Sequence, residues 1–106
     1  LFKDKNEESN KRYKSAWENA KLIAKLLKEK YKADTIIVFG SLTDEQRFHK
    51  RSDIDLAVSG IASEKYYKAY GDITARYTDF NIDLVDLNDC KESLLTSIKK
   101  EGIEIE

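Results

Sequence analysis

The stretch Thr35-Ile36-Ile37-Val38-Phe39-Gly40-Ser41, followed after a polar segment by Ser52-Asp53-Ile54-Asp55-Leu56-Ala57-Val58, decides how this chain folds. The first run is apolar, rich in β-branched residues and ended by Gly40, which is the pattern of a buried strand. The second run alternates. Asp53, Asp55 and Ala57 fall on one face of a strand, and Ile54, Leu56 and Val58 on the other. Side chains two apart on a strand point the same way, about 6.6–6.8 Å apart along it. Two carboxylates on one face, backed by an apolar face, are costly unless a cation sits between them. A divalent metal ion is the economical explanation.

Working outward from this stretch, residues 1–10 are polar apart from Leu1 and Phe2 and read as a mobile lead-in. Residues 11–106 read as one domain. From about Lys11 to Tyr31, apolar residues recur at helical spacing: Tyr13, Ala16, Trp17, Ala20, Ala24, Leu27 and Tyr31, with Leu22, Ile23 and Leu26 widening the stripe. This is a packing helix with a lysine-rich outer face, and Trp17 is expected to anchor the core. Ser41 can cap a short helix after the first strand. Gly60 ends the second strand, and Ser63 can cap a helix over about Glu64 to Arg76. A third strand follows at Ile82–Leu87. Asp89 and Glu92 have capping-box spacing before a third helix with Leu94, Leu95 and Ile98 as its apolar face. Ile103-Glu104-Ile105 alternates as a short last strand. The order predicts a small α/β (α+β) fold, a mixed sheet with helices packed on it.

Composition bounds the function. A chain of 106 residues forms one modest core. Formal net charge is −1, so no overall basic character argues for nonspecific nucleic-acid binding. The single cysteine, Cys90, excludes an internal disulfide framework and fits a reducing compartment, so a cytoplasmic location is expected. No apolar run approaches the length of a membrane-spanning helix. The chain starts at Leu1 and holds no Met, so the natural N-terminus is expected to be longer or processed.

Gly40-Ser41, a spacer of about a dozen residues, and Asp53-Ile54-Asp55 resemble the signature of the nucleotidyltransferase superfamily that includes DNA polymerase beta. The small size resembles the minimal nucleotidyltransferases, often encoded beside HEPN-domain proteins as the antitoxin of a toxin–antitoxin pair. The resemblance covers roughly Thr35 to Leu87 and implies a third carboxylate on a later strand, which Phe80-Asn81-Ile82-Asp83-Leu84-Val85-Asp86-Leu87 supplies. It implies two Mg²⁺ ions held by Asp53, Asp55 and Asp83 and a nucleoside triphosphate, ATP, as substrate. Asp53 and Asp55 would hold the ions on the triphosphate, and Asp83 would complete the one that activates the attacking hydroxyl. The implied acceptor is a HEPN-type toxin, silenced by adenylylation.

Asp86 rivals Asp83. The two are three apart, so a strand puts them on opposite faces and only one can join Asp53 and Asp55. Asp83 stands in mid-run between Ile82 and Leu84, and Asp86 lies nearer the strand end, so Asp83 is the expected third carboxylate.

Gly40 and Ser41 form the expected phosphate end. Glycine admits a close backbone approach, and the Ser41 hydroxyl can donate to a phosphate oxygen. The next segment departs from the family pattern. Leu42-Thr43 stand where many relatives carry an arginine, and no glycine follows. Arg47, Lys50 and Arg51 are the available cations, with Arg47 and Arg51 taken as phosphate ligands. His49 reads as solvated, and Tyr66, Tyr67, Tyr70 and Tyr77 mostly as packing. Two alternatives stay open: a non-catalytic module that masks a partner, and a transferase acting on a small molecule such as an aminoglycoside.

Overall fold

The computed structural model describes the chain from Phe2 to Glu106, with side chains from Glu7 onward. Its elements are α1 (Phe2–Tyr31), β1 (Thr35–Phe39), a 3-10 turn (Gly40–Thr43), β2 (Ile54–Ser59), α2 (Ser63–Arg76), β3 (Ile82–Asp86), α3 (Glu92–Glu101) and β4 (Ile103–Glu104). The expected α/β order is what forms. The sheet runs β3-β2-β1-β4, with β1 antiparallel to both β2 and β4, and β2 parallel to β3. A parallel pair needs a crossover, and α2 provides it.

The helix starts well before the expected Lys11. Leu1, the first residue of the expected lead-in, lies outside the described residues, but from Phe2 the backbone is helical. The segment holds no Gly or Pro to stop a helix, and Glu7 and Glu8 precede Lys11 and Arg12 by four residues, the favourable order on a helix surface. Leu22 does not widen the buried stripe, being half exposed. The capping reading also needs correction. The cap positions fall on Phe39, Ala62 and Lys91, none with a side-chain cap bond. Ser41 and Ser63 lie inside their helical segments, whereas a cap residue needs a non-helical backbone. Asp89 instead closes a turn onto the Asp86 carbonyl.

One face of the sheet carries the main core. Ile36 and Val38 of β1, Ile54, Leu56 and Val58 of β2, and Ile82 and Leu84 of β3 are buried there. Ala16, Ala20, Ile23, Ala24, Leu27 and Tyr31 of α1 pack into the same core, as do Ala69 and Ile73 of α2. The three alanines let the helix lie close to the sheet. Trp17 anchors the start of the site by donating its indole N–H to the Leu42 carbonyl at 3.1 Å. Phe48, in the segment without periodicity, is buried between Tyr13 and Phe80, at ring separations of 5.8 and 6.3 Å. Two hydroxyls of α2 reach the edge strand: Tyr66 donates to the Leu84 carbonyl and Tyr70 to that of Ile82. Lys30, Tyr31 and Arg76 all converge on Asp72, tying α1 to α2.

The other face divides in two. Towards one end, α3 covers it: Gly102 lies against Ile37, and Ile98 is buried. Towards the other end the face holds carboxylates.

Candidate active site

Register alone places the acidic residues together. Phe39 pairs with Asp55 across β1 and β2, and Asp55 pairs with Asp83 across β2 and β3. Asp53 precedes Asp55 by two residues at the entry to β2. All three therefore look out from the face opposite the main core. The neighbours Ile54, Leu56, Ile82 and Leu84 point into that core, which pins the register, since a slip of one residue would bury the carboxylates. Asp55 is half-buried at the centre, and Asp83 is exposed on the edge strand.

The electrostatics follow from this arrangement. The Asp55 carboxyl is pushed up to about 6, first by burial and then by the negative charges of Asp83 and Asp53. None of the ion pairs formed among the described residues involves these carboxylates. An oxygen-rich set with a charge deficit suits a hard divalent cation such as Mg²⁺, which is commonly held by one or two carboxylates plus substrate phosphates. Among the described residues, no three acidic, His or Cys side chains converge into a finished metal cage.

Gly40 explains its own place. It has a φ of +71°, in the left-handed region, and a Cβ there would run into the Asp55 carboxylate. The close approach brings the backbone after β1 against the central carboxylate. Ser41 follows in the 3-10 turn, beside the buried Leu42. Thr43 spends its hydroxyl on the Gly40 carbonyl at 2.7 Å, which rigidifies the turn. The departure from the family pattern at Leu42-Thr43 thus has a packing reason: Leu42 is a core residue.

The predicted cations separate. Arg47 is exposed on the turn before Phe48. Arg51 instead lines a concavity of 130 Å³ with Arg12, Lys50, Ser52 and Asn81 among its walls. Arg12, on α1, was not singled out from sequence: its helical spacing marks only a flank of the apolar stripe. His49 is exposed, and its Nδ1 accepts the Arg51 backbone N–H at 3.2 Å, a loop contact rather than a catalytic one. Asp86 lies on the other side of β3. Its Oδ1 accepts the Asn88 N–H at 2.9 Å. The Tyr66 hydroxyl is pushed up to about 12, by burial first and by the charge of Asp86 next.

Comparison with known proteins identifies the family of the fold. Residues 21–106 match the family described as polymerase beta, nucleotidyltransferase. Solved structures resemble the chain over most of its length. One is a mutant of the MntA–HpeT toxin–antitoxin complex, at 25% identity and TM-score 0.64 over 80% of this chain and 70% of that one. Another is a toxin–antitoxin structure with AMP-PNP, at 26% identity and TM-score 0.63 over 81% and 70% of the two chains. A third is the tri-AMPylated HEPN toxin of Shewanella oneidensis in complex with its MNT antitoxin, at 25% identity and TM-score 0.62 over 84% and 70%. No curated protein matches. No helix among the described residues is long and apolar enough to cross a membrane. With a match that spans most of the chain and an acidic face in the corresponding fold, the chain belongs to the polymerase beta nucleotidyltransferase family.

Proposed function

We propose that this chain transfers AMP from ATP to a hydroxyl of a HEPN-type partner protein, as the antitoxin of a toxin–antitoxin pair in the cytoplasm. The observation that carries the reading is the in-register pair Asp55–Asp83, with Asp53 on the same face and Gly40 against Asp55. The similarity to structures of toxin–antitoxin complexes, one with AMP-PNP and one with a tri-AMPylated toxin, supports the choice of nucleotide and acceptor.

In this reading Asp53, Asp55 and Asp83 would hold Mg²⁺, which when bound would supply charge neutralisation at the phosphates and a lowered pKa for the attacking hydroxyl. Backbone N–H groups at Gly40 and Ser41, with the Ser41 hydroxyl, hold the outer phosphates. Asp83, exposed on the edge strand, faces the incoming acceptor and accepts its hydroxyl proton. The acceptor oxygen bonds to the α-phosphorus, the bond from that phosphorus to the bridging oxygen of the β-phosphate breaks, and pyrophosphate leaves. Positioning and charge stabilisation supply most of the rate.

The test is incubation of the chain with α-labelled ATP, Mg²⁺ and its co-encoded neighbour. Label on the neighbour, lost with Asp55→Asn, is the expected result; no label at saturating Mg²⁺ and ATP removes the transferase reading. One observation favours a second reading, the partner-masking module: Leu42 and Thr43 are committed to packing and to the turn, where many relatives carry an arginine. Masking predicts that ATP with Mg²⁺ leaves the melting temperature unchanged, whereas a substrate must raise it by mass action.

A further inference from the structure

The turn Gly40–Thr43 touches the carboxylates at one point and α1 at another. Gly40 lies against the Asp55 side chain, where an added Cβ would run into Oδ2. Two residues on, Leu42 is fully buried and its carbonyl meets α1. The carbonyls of Gly40, Ser41 and Leu42 each have a donor. The Thr43 hydroxyl serves Gly40 at 2.7 Å, the Asp44 N–H serves Ser41 at 3.2 Å, and the Trp17 indole N–H serves Leu42 at 3.1 Å. The first two donors belong to the turn or to the residue after it, so they stiffen it without fixing where it stands. Trp17 is different, because it lies 25 residues earlier, on the helix. Its ring is partly buried against the main core, so the helix and not the turn sets its position. An indole N–H can only donate, and a buried carbonyl that loses its donor is costly unless it moves to water.

The turn Gly40-Ser41-Leu42-Thr43 holds no Lys or Arg. Its grip on a phosphate, in the transferase reading, rests on backbone groups and the Ser41 hydroxyl. Such groups act only at hydrogen-bond range, and a displacement of about 1 Å is enough to impair a site built this way. We propose that Trp17 is a positioning residue for the triphosphate. Its indole N–H holds the Leu42 carbonyl, and through it sets Gly40 and Ser41 at their place beside Asp55. Trp17 touches no substrate itself. This rests on the transferase reading above and deepens it.

The test compares two variants of the full chain. Trp17→Phe keeps an aromatic ring on α1 and removes the N–H donor. Tyr31→Phe removes a different bond of α1, the one from its hydroxyl to Asp72 at 2.7 Å, away from the turn. Without nucleotide, Trp17→Phe is expected to speed hydrogen exchange at the buried Leu42 amide more than at the Ile54 amide, which is bonded to the Asn81 carbonyl. Calorimetry with AMP-PNP and Mg²⁺ is expected to show Trp17→Phe weaker by about tenfold and Tyr31→Phe within about twofold of wild type. In the transfer assay the ATP KM of Trp17→Phe is expected to rise by a larger factor than kcat falls. Unchanged AMP-PNP affinity in Trp17→Phe, at whatever melting temperature, would reduce Trp17 to a packing residue and overturn the proposal. An equal loss of affinity in Tyr31→Phe would overturn it too, by tracing the effect to a loosened helix. A wild-type chain that binds AMP-PNP with this dependence on Trp17 but labels no acceptor would sink the transferase reading and leave the role of Trp17 standing.

Discussion

Asp55 on β2 stands directly opposite Asp83 on β3, in the register of a parallel pair. Two carboxylates in that position, with Asp53 beside them, repel one another unless a cation or a proton intervenes. Burial first, and then the charges of Asp83 and Asp53, push the Asp55 carboxyl up to about 6.

Removing the charge at the centre is therefore expected to stabilise the metal-free fold while ending transfer. The folded-state value of Asp55 lies above the ordinary one of 3.8, at about 6. The folded state thus binds the proton more tightly, and stability falls as pH rises through the window from about 3.8 to about 6. In chelator, Asp55→Asn is expected to melt higher than wild type at pH 7.5, by on the order of 1–2 kcal/mol once solvent screening of a half-exposed group is allowed for. The difference should vanish near pH 3.5. Thermal melts at the two pH values check this, and a mutant less stable than wild type at pH 7.5 contradicts it.

The two acidic residues of β3 are expected to separate cleanly. Asp83→Asn should stop single-turnover transfer and leave AMP-PNP binding largely intact. Asp86→Asn should cost little activity, since its carboxylate is occupied with the Asn88 N–H on the opposite side of the strand. The reverse ranking in a rapid-quench assay would move the catalytic face to the other side of β3.

Gly40→Ala probes the approach of the turn to Asp55. An added Cβ meets the carboxylate, and an L-residue at a φ of +71° is strained besides. A loss of about 1–3 kcal/mol is expected from denaturant titration. The activity should fall further than the stability loss explains, because the side chain displaced is Asp55. A variant as stable and as active as wild type would exclude this contact from the site.

Asp72 carries the acid sensitivity of the α1–α2 contact. Hydrogen bonds from Lys30, Arg76 and Tyr31 hold its carboxyl well below the usual carboxylate range. The folded value is depressed, so the contribution is complete above about 4 and is lost as pH falls further. Asp72→Asn is expected to lower the melting temperature at pH 7 and to flatten its fall between pH 5 and pH 2.5. An unchanged slope in that range would mean that other carboxylates govern acid unfolding.

The strands and their faces were legible because alternation has a period of two and an apolar core to enforce it. Ile54, Leu56, Ile82 and Leu84 each announce which way their acidic neighbours must face, and the structure places Asp53, Asp55 and Asp83 accordingly. Helix ends were less legible. Ser63 and Asp89 have the chemistry of caps, but a cap also needs a backbone conformation that composition does not specify. Phe48 and Arg12 were hidden for another reason. Both gain their roles from Phe80, far along the chain, through ring packing and stacking that no local period encodes. Arg47 and Arg51 looked alike in sequence, and only the loop between Phe48 and Ser52 separates them.

The hydroxyls of Tyr66 and Tyr70 have a consequence beyond packing. β3 is an outer strand, and the Asn81 carbonyl accepts the Ile54 N–H, so alternation turns the Ile82 and Leu84 carbonyls outward. An open row of such acceptors is a template on which another chain can add a strand and begin to aggregate. The two tyrosines occupy those acceptors from within the same molecule. The strand that bears Asp83 can therefore stay uncovered without offering a free row of acceptors, and one pair of side chains from α2 achieves this.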